Sequence, residues 1–330
     1  VLAIVCPGQG SQTPGFLSPW LDLPGVEDRV AAFAEASGTD LRTHGTTSDA
    51  DTIRDTAVAQ PLIVSASLVA FRALVGDADP SGLVDVTAGH SVGELAAAAV
   101  AGVLDDAGAV GLVARRARAM ADAAALEPSG MSAVVGGDPQ EVLTAIEACG
   151  LVPANVNGGG QVVAAGSLPG LARLAEDPPA KARVIPLQVA GAFHSDFMRP
   201  ALDAFAPVAA AWPAADPRLP LLSDADGAAY GPGTPADGVP AHGRGRDVLA
   251  RLAAQVVAPV RWDLCQETLA AMGVTGLVEL APAGVLTGLA RRTLPGVETV
   301  AVKTPADLDA ARALVHRHSG TRPTTEETPA

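Results

Sequence analysis

Gly89-His90-Ser91-Val92-Gly93 constrains this chain more than any other stretch. The pentapeptide fits G-x-S-x-G, the pattern of a sharp strand-to-helix turn that exposes a serine. Before it, Leu83 to Ala88 is β-branched and apolar, the texture of a short buried strand. After it, Glu94 to Val100 is rich in the best helix formers. The flanking glycines leave room for the turn. Ser91 then stands at a strand end and at the positive end of a helix, where an oxyanion is stabilised. The pentapeptide alone fits an ordinary tight turn equally well. Its flanks favour a nucleophile.

The 330 residues suffice for one large domain or two modest ones. With 48% hydrophobic residues, the chain can bury a sizeable core, so disorder is excluded as its general state. No run of about 18 apolar residues lacks charges or turn residues, so no membrane span is expected. The apolar start, Val1 to Cys6, is too short for a signal peptide, lacks a basic head and reads as the first buried strand. A net charge of −14 argues against nucleic acid as a partner. Cys6, Cys149 and Cys265 are odd in number and lack metal-ligand spacing. They read as buried thiols in a reducing, cytoplasmic setting.

Along the chain, Pro7-Gly8-Gln9-Gly10-Ser11-Gln12 follows the first strand. It is neither a Walker loop nor G-x-G-x-x-G, and reads either as a plain turn or as a turn that aims N–H groups at an anion. Residues 26–75 read as broken helices ending in an apolar one. Asp105 or Asp106 caps a helix running to about Ala125, with an apolar stripe of Ala109, Leu112, Val113 and Met120. Arg116 falls inside that stripe, whereas Arg115 and Arg118 point elsewhere. An arginine so placed either snorkels out or meets an anion.

From Met131 to Val189 the predicted order is β-α-β-β-α-β, a ferredoxin-like unit. The small domain is expected over 126–189, inserted into a body of 1–125 and 190–330. Residues 226–246 read as a mobile loop rich in Gly, Pro and Ala, and 319–330 as a disordered tail.

A serine nucleophile needs a base and an oxyanion hole. Among six histidines, His44 and His242 lie in loop-like stretches and His316 and His318 near the C-terminus. His90, next to Ser91, is expected to point to the opposite side. His194 remains as the candidate base, although a structural histidine fits its pattern equally well. No aspartate stands out as a third member; a backbone carbonyl could do that job.

Five motifs in order name a family: Gly8-Gln9-Gly10-Ser11-Gln12, Gly89-His90-Ser91-Val92-Gly93-Glu94, Arg116, Gly191-Ala192-Phe193-His194-Ser195, and Gln255 with Pro259-Val260-Arg261-Trp262. Over residues 1 to about 318 the chain resembles the malonyl-CoA:acyl carrier protein transacylases of type II fatty acid synthesis, relatives of polyketide acyltransferase domains. The resemblance implies an α/β-hydrolase-like body with a parallel central sheet. It implies Ser91 as the acylated nucleophile and His194 as its base. The N–H groups of Gln9 and Val92 form the oxyanion hole, the carbonyl near Gln255 orients His194, and Arg116 takes the malonyl carboxylate. Phe193 beside His194 matches members that use malonyl rather than methylmalonyl groups. Malonyl-CoA and acyl carrier protein are the implied partners, with no metal or bound cofactor. Lys181, Arg183, Arg291 and Arg292 are candidate carrier-docking charges, or ordinary solvated ones. The chain departs from the family pattern at Ala117, Ala121 and Ala281-Pro282-Ala283-Gly284, and its 226–246 loop is longer. A serine hydrolase or thioesterase on the same fold, or a transferase of another acyl group, remains an alternative.

Overall fold

A computed structural model of the chain describes residues 1–76, 79–232, 241–242 and 244–319. The first stretch comprises β1 (Leu2–Cys6), α1 (Ser18–Leu21), α2 (Val26–Ser37), α3 (Leu41–Thr46), α4 (Thr56–Val75), β2 (Val86–Gly89), α5 (Gly93–Val100) and α6 (Asp106–Ala124). A second adds β3 (Ser129–Gly136), α7 (Pro139–Ala148), β4 (Val152–Gly158), β5 (Gln161–Ser167), α8 (Leu168–Glu176) and β6 (Ala182–Pro186). The third supplies α9 (Arg199–Ala211), β7 (Leu221–Leu222), β8 (Ala229–Tyr230), β9 (Ala241–His242), α10 (Gly245–Ala254), β10 (Val260–Arg261) and α11 (Trp262–Ala271). It ends with β11 (Gly276–Glu279), α12 (Val285–Thr293), β12 (Glu298–Ala301) and α13 (Leu308–His318).

These elements form a mixed α/β fold with two sheets. The larger has the order β12-β11-β1-β2-β7-β8-β9. Its strands β12 to β7 pair in parallel, and only β7 with β8 is antiparallel. Every residue of β1, β2 and β11 is buried, which explains why these strands read as apolar runs rather than alternations. Cys6 lies opposite Gly89 and Ala88 opposite Leu222. The loops after β1, β2 and β7 therefore leave the sheet side by side at its carboxyl edge, the usual place for a site in such sheets.

The smaller sheet has the order β10-β4-β5-β3-β6. Strands β3 to β6 come from the second stretch, and β10 joins from far along the chain, with Val260 opposite Asn155. Gly159 and Gly160 join β4 to β5 with φ of 56° and 76°, a turn with two left-handed residues that glycine adopts without strain.

Several expectations need correction. Strand β2 begins at Val86, not Leu83, because Pro80–Gly82 forms a 3-10 turn capped by Asp79. His44 sits in α3 rather than a loop. The 226–246 stretch carries β8, with Ala229 and Tyr230 buried, then β9 and the start of α10; its residues 233–240 and 243 lie outside the described residues. His242 accordingly falls on β9. Cys6 and Cys265 are buried, but Cys149 is half-buried. Of the expected tail, 320–330 lies outside the described residues. Helix α4 is long and apolar enough to cross a membrane by length and composition, yet most of it is buried against α5, α6 and α2.

Candidate active site

Strand β2 turns into α5 at Ser91, whose φ is 52°. That left-handed conformation is strained for a non-glycine residue. The turn closes only because its flanking residues lack β-carbons. One on Gly89 would lie 2.1 Å from the Gly93 carbonyl carbon, and one on Gly93 would lie 2.2 Å from the Cys6 oxygen. Both neighbours are backbone and cannot give way.

Ser91 Oγ lies 2.8 Å from His194 Nε2. His194 stands between β6 and a short 3-10 turn over Asp196–Met198, itself with φ of 59°. The main-chain oxygens of Gln255 and Ala258 accept from its Nδ1 at 2.8 and 3.2 Å. Those bonds fix the tautomer that leaves Nε2 free to accept a proton. Burial, and then the Arg116 charge, push the His194 pKa down to about 3, so the ring is neutral at pH 7.

Arg116 is fully buried on the stripe of α6, while Arg115 and Arg118 are exposed. Helix α6 begins at the expected cap, where Asp105 accepts from Gly108 N–H at 2.5 Å. Arg116 Nη1 donates to Gln60 Oε1 and Nη2 to Gln255 Oε1, each at 2.6 Å. Its Nη2 also lies 3.5 Å from Ser91 Oγ, and its Nε has no hydrogen-bond partner among the described residues. Burial lowers its pKa to about 10, which leaves it charged at neutral pH. A buried cation with a spare donor is suited to an anionic ligand.

The N–H of Ser91 donates to Asp224 Oδ2 at 2.7 Å. By contrast, no acceptor among the described residues takes the N–H of Gln9 or Val92. Gln9 lies in the loop after β1 and Val92 caps α5, so both belong to adjacent turns at the sheet edge.

Ser91, His194 and Gln9 open into a cleft of about 200 Å³ between the two sheets, with Arg116 buried behind its wall. Gly8, Gln9, His90, Ser91, Phe193 and His194 line one side; Met131, Ala133, Asn155, Asn157, Gln161 and Val163 of the smaller sheet line the other. A larger hollow of about 650 Å³ lies elsewhere, but Arg72, Asp106, Asp79 and Arg218 on its walls are ion-paired and no nucleophile lines it.

His90 corrects an expectation. It lines the same cleft as Ser91, and its Nε2 lies 2.8 Å from Asn157 Oδ1. Alternation fails because the left-handed Ser91 breaks the strand geometry. Its ring also packs edge-to-face with Trp262, the ring centroids 5.7 Å apart. Sequence reasoning gave no role to Gln60, Asn157 or Asp224. Gln60 does carry a signal, as a lone amide beside the apolar run that starts at Leu62. No group of three or more His, Cys, Asp or Glu side chains suited to a metal occurs among the described residues. Lys181, Arg183, Arg291 and Arg292 are all exposed and lie away from Ser91 in sequence and contact.

A strained serine hydrogen-bonded to a neutral histidine, at the edge of a mostly parallel sheet, is the layout of an acyl-transferring serine enzyme. The family model described as acyl transferase domain matches residues 3–308. The malonyl CoA-acyl carrier protein transacylase of Mycobacterium tuberculosis is 53% identical over 309 residues, covering 94% of this chain and 98% of that protein. The crystal structure of MCAT from Mycobacterium tuberculosis superposes with a TM-score of 0.87 at 52% identity, over 94% of this chain and 99% of that one. A type II PKS acyl-carrier protein in complex with its malonyl-transacylase gives a TM-score of 0.83 at 29% identity, over 94% and 99% of the two chains. The chain belongs to the malonyl-CoA:acyl carrier protein transacylase family.

Proposed function

We propose that this protein transfers the malonyl group of malonyl-CoA to the phosphopantetheine thiol of acyl carrier protein through a malonyl-Ser91 intermediate, supplying units for fatty acid synthesis. The observation that carries this reading is the meeting of Ser91 Oγ with His194 Nε2 at 2.8 Å and with Arg116 Nη2 at 3.5 Å. The nucleophile and its base thus line the cleft, and a buried cation suited to a carboxylate stands directly behind the nucleophile.

In the first half-reaction His194 Nε2 takes the Ser91 proton as Oγ bonds to the thioester carbon. The carbonyl becomes an oxyanion held by the N–H groups of Gln9 and Val92. Each such donor contributes about 3–4 kcal/mol to the transition state in other acyl-transfer enzymes. The carbon–sulfur bond breaks, and the CoA sulfur leaves with the proton from His194. In the second, His194 takes the proton of the carrier thiol, whose sulfur attacks the malonyl ester, and Ser91 recovers its proton. The Gln255 carbonyl stabilises the imidazolium formed in each step. Arg116 pairs with the malonyl carboxylate, and Phe193, buried at the cleft wall, limits bulk at the acyl α-carbon. The carrier docks at a rim that includes Lys181, Arg183, Arg291 and Arg292.

The larger sheet reads as an α/β-hydrolase-like body over 1–125 and 190–330. Residues 126–189, which supply four of the five strands of the smaller sheet, read as a ferredoxin-like insert, a division supported by the β-α-β-β-α-β order of β3 to β6. The reading is of a cytoplasmic enzyme, in keeping with three unpaired thiols.

Intact-mass measurement after mixing with malonyl-CoA tests the reading. One malonyl adduct is expected on the wild type and none on Ser91→Ala. An adduct on Ser91→Ala overturns the nucleophile, and release of free malonate without transfer to carrier protein favours a hydrolase.

A further inference from the structure

Beneath Ser91 lies a pair of buried carboxyls that the mechanism does not use. Glu94 and Asp224 are 4% and 0% exposed. Glu94 Oε1 accepts from Asp224 N–H at 2.6 Å, and Asp224 Oδ2 accepts from Ser91 N–H at 2.7 Å. Between them stands the Gln255 side chain. Its Nε2 faces Glu94 Oε2, both Asp224 oxygens at 3.2 and 3.1 Å, and the Ser91 carbonyl at 3.0 Å. Its Oε1 accepts from Arg116, and its main-chain carbonyl accepts from His194. One residue thus joins the nucleophile, the base and the carboxylate-binding arginine.

The donors do not suffice for two ionised carboxylates. An amide nitrogen carries two hydrogens, yet four acceptors surround it. Flipping the amide would set its oxygen against the carboxylates and its nitrogen against Arg116, so the orientation is fixed by its neighbours. Arg116 is the only lysine or arginine in the buried set among the described residues, so one positive charge faces two buried carboxyls. Like carboxyls in one dry site do not both ionise near neutrality.

We propose that Glu94 and Asp224 hold one proton between them, and that this pair, acting through Gln255, positions Arg116 and His194 and sets how tightly the site takes an acyl carboxylate. The inference rests on the reading of Ser91, His194 and Arg116 given above. Burial raises both carboxyls above the usual range, in keeping with a retained proton. When that proton leaves at higher pH, a second negative charge faces Arg116 and competes with the malonyl carboxylate. Glu94 and Asp224 are positioning residues; neither touches the acyl group.

Among the described residues, the other charged or titratable groups set against the pair are Arg116 of α6, Cys265 of α11, Tyr230 of β8 and Arg251 of α10, and His194 meets it through Gln255. Burial pushes the Cys265 thiol and the Tyr230 phenol up and holds His194 down at about 3. Arg116 keeps its proton to about 10, and Tyr230 raises Arg251 further. None of them changes charge between about pH 6 and 9, which leaves the pair as the titrating group there.

KM for malonyl-CoA and for acetyl-CoA, measured from pH 6 to 9 on wild type, Glu94→Gln and Asp224→Asn, tests the proposal. Each amide keeps an acceptor oxygen but cannot ionise. In the wild type, KM for malonyl-CoA is expected to rise about tenfold or more across the range, because an added negative charge near Arg116 opposes the malonyl carboxylate. In the amide variants it is expected to stay flat. KM for acetyl-CoA, which has no carboxylate, is flat throughout and controls for titration of CoA itself. Melting curves and the fraction of Ser91 that accepts malonyl separate loss of folding from the pH effect, and either amide variant suffices if the other fails to fold. A flat wild-type profile, or the same slope in a folded amide variant, overturns the proposal. A wild type that never forms the malonyl ester overturns the functional reading instead.

Discussion

Arg116 Nη2 lies 3.5 Å from Ser91 Oγ, so a fully buried guanidinium stands beside the hydroxyl proposed as the nucleophile. A short acid esterified to the serine could turn its far carboxylate back onto this guanidinium, whose Nε has no partner among the described residues. An acetyl group lacks the second end and leaves the cation unpaired. Replacing Arg116 by Ala should lower kcat/KM for malonyl-CoA by about a thousandfold, the loss of two charge-assisted hydrogen bonds of about 2 kcal/mol each. Transfer of acetyl should persist or rise. Equal losses with both thioesters would remove the arginine from substrate selection.

The same charge acts on the base. Burial, and then Arg116, depress His194 to about 3. Catalysis needs the neutral ring, and a depressed pKa keeps it neutral as the pH falls. The acylation rate constant for wild type should therefore show no inflection near the ordinary histidine value of about 6.5. Its acid limb should lie well below that. In Arg116→Ala the second cause is gone, so the acid limb for acetyl transfer should move up, though not to the ordinary value because burial remains. Single-turnover rates from pH 4 to 8 decide this; an acid limb near 6.5 in the wild type would refute it.

Much of this arrangement could be read along the chain, and what could not has a common cause. The strand-to-helix turn at Ser91 was legible because strand, turn glycines and helix are contiguous. Arg116 was legible because a helix repeats its apolar face at fixed spacing, and Asp105 because a cap precedes its helix. Partners that meet only through the fold left no such trace. Gln60 and Arg116 are 56 positions apart, His90 and Asn157 are 67 apart, and Ser91 and Asp224 are 133 apart. Strand β8 was hidden for another reason: two residues of pairing are too few to outweigh the surrounding Gly, Pro and Ala. Strand β10 was likewise too short to assign, although it places Gln255 and Ala258 beside His194.

Phe193 is 6% exposed and lines the cleft next to His194. A methyl branch on the acyl α-carbon would crowd this ring. A single methyl in an apolar pocket discriminates by about 1–3 kcal/mol, so the expected outcome is preference rather than exclusion. Wild type should favour malonyl-CoA over methylmalonyl-CoA by kcat/KM, and Phe193→Ser should narrow the ratio by about tenfold. A wild-type preference for methylmalonyl would refute the assignment.

The docking rim makes the last prediction. Carrier proteins of this kind are acidic, and with a net charge of −14 this chain attracts them only through a local basic patch. Three of the four candidate charges, Lys181, Arg183 and Arg292, lie near one turn, and Arg291 precedes Arg292 on α12. A β-carbon at Gly159 would lie 3.1 Å from Arg292 Nε, which sets that side chain against the β4–β5 turn. Gly136, opposite Ala182 in the sheet register, donates to Gly160 O at 2.9 Å, which brings the start of β6, and Lys181 and Arg183 with it, to the same end of the smaller sheet. Asn157 and Gln161 flank that turn and line the cleft, while Leu187 and Val285 add exposed apolar surface at its lips. Exposed charges of this kind contribute little to folding, so the variants should stay folded. Reversing Lys181 and Arg183 to Glu should raise KM for carrier protein about threefold to tenfold at low salt, and less at high salt, where charges are screened. Acylation of Ser91 by malonyl-CoA should be nearly unchanged, because the patch lies outside the cleft that holds the acyl group. Should acylation fall as far as transfer does, these residues serve CoA binding or folding, and the carrier docks elsewhere.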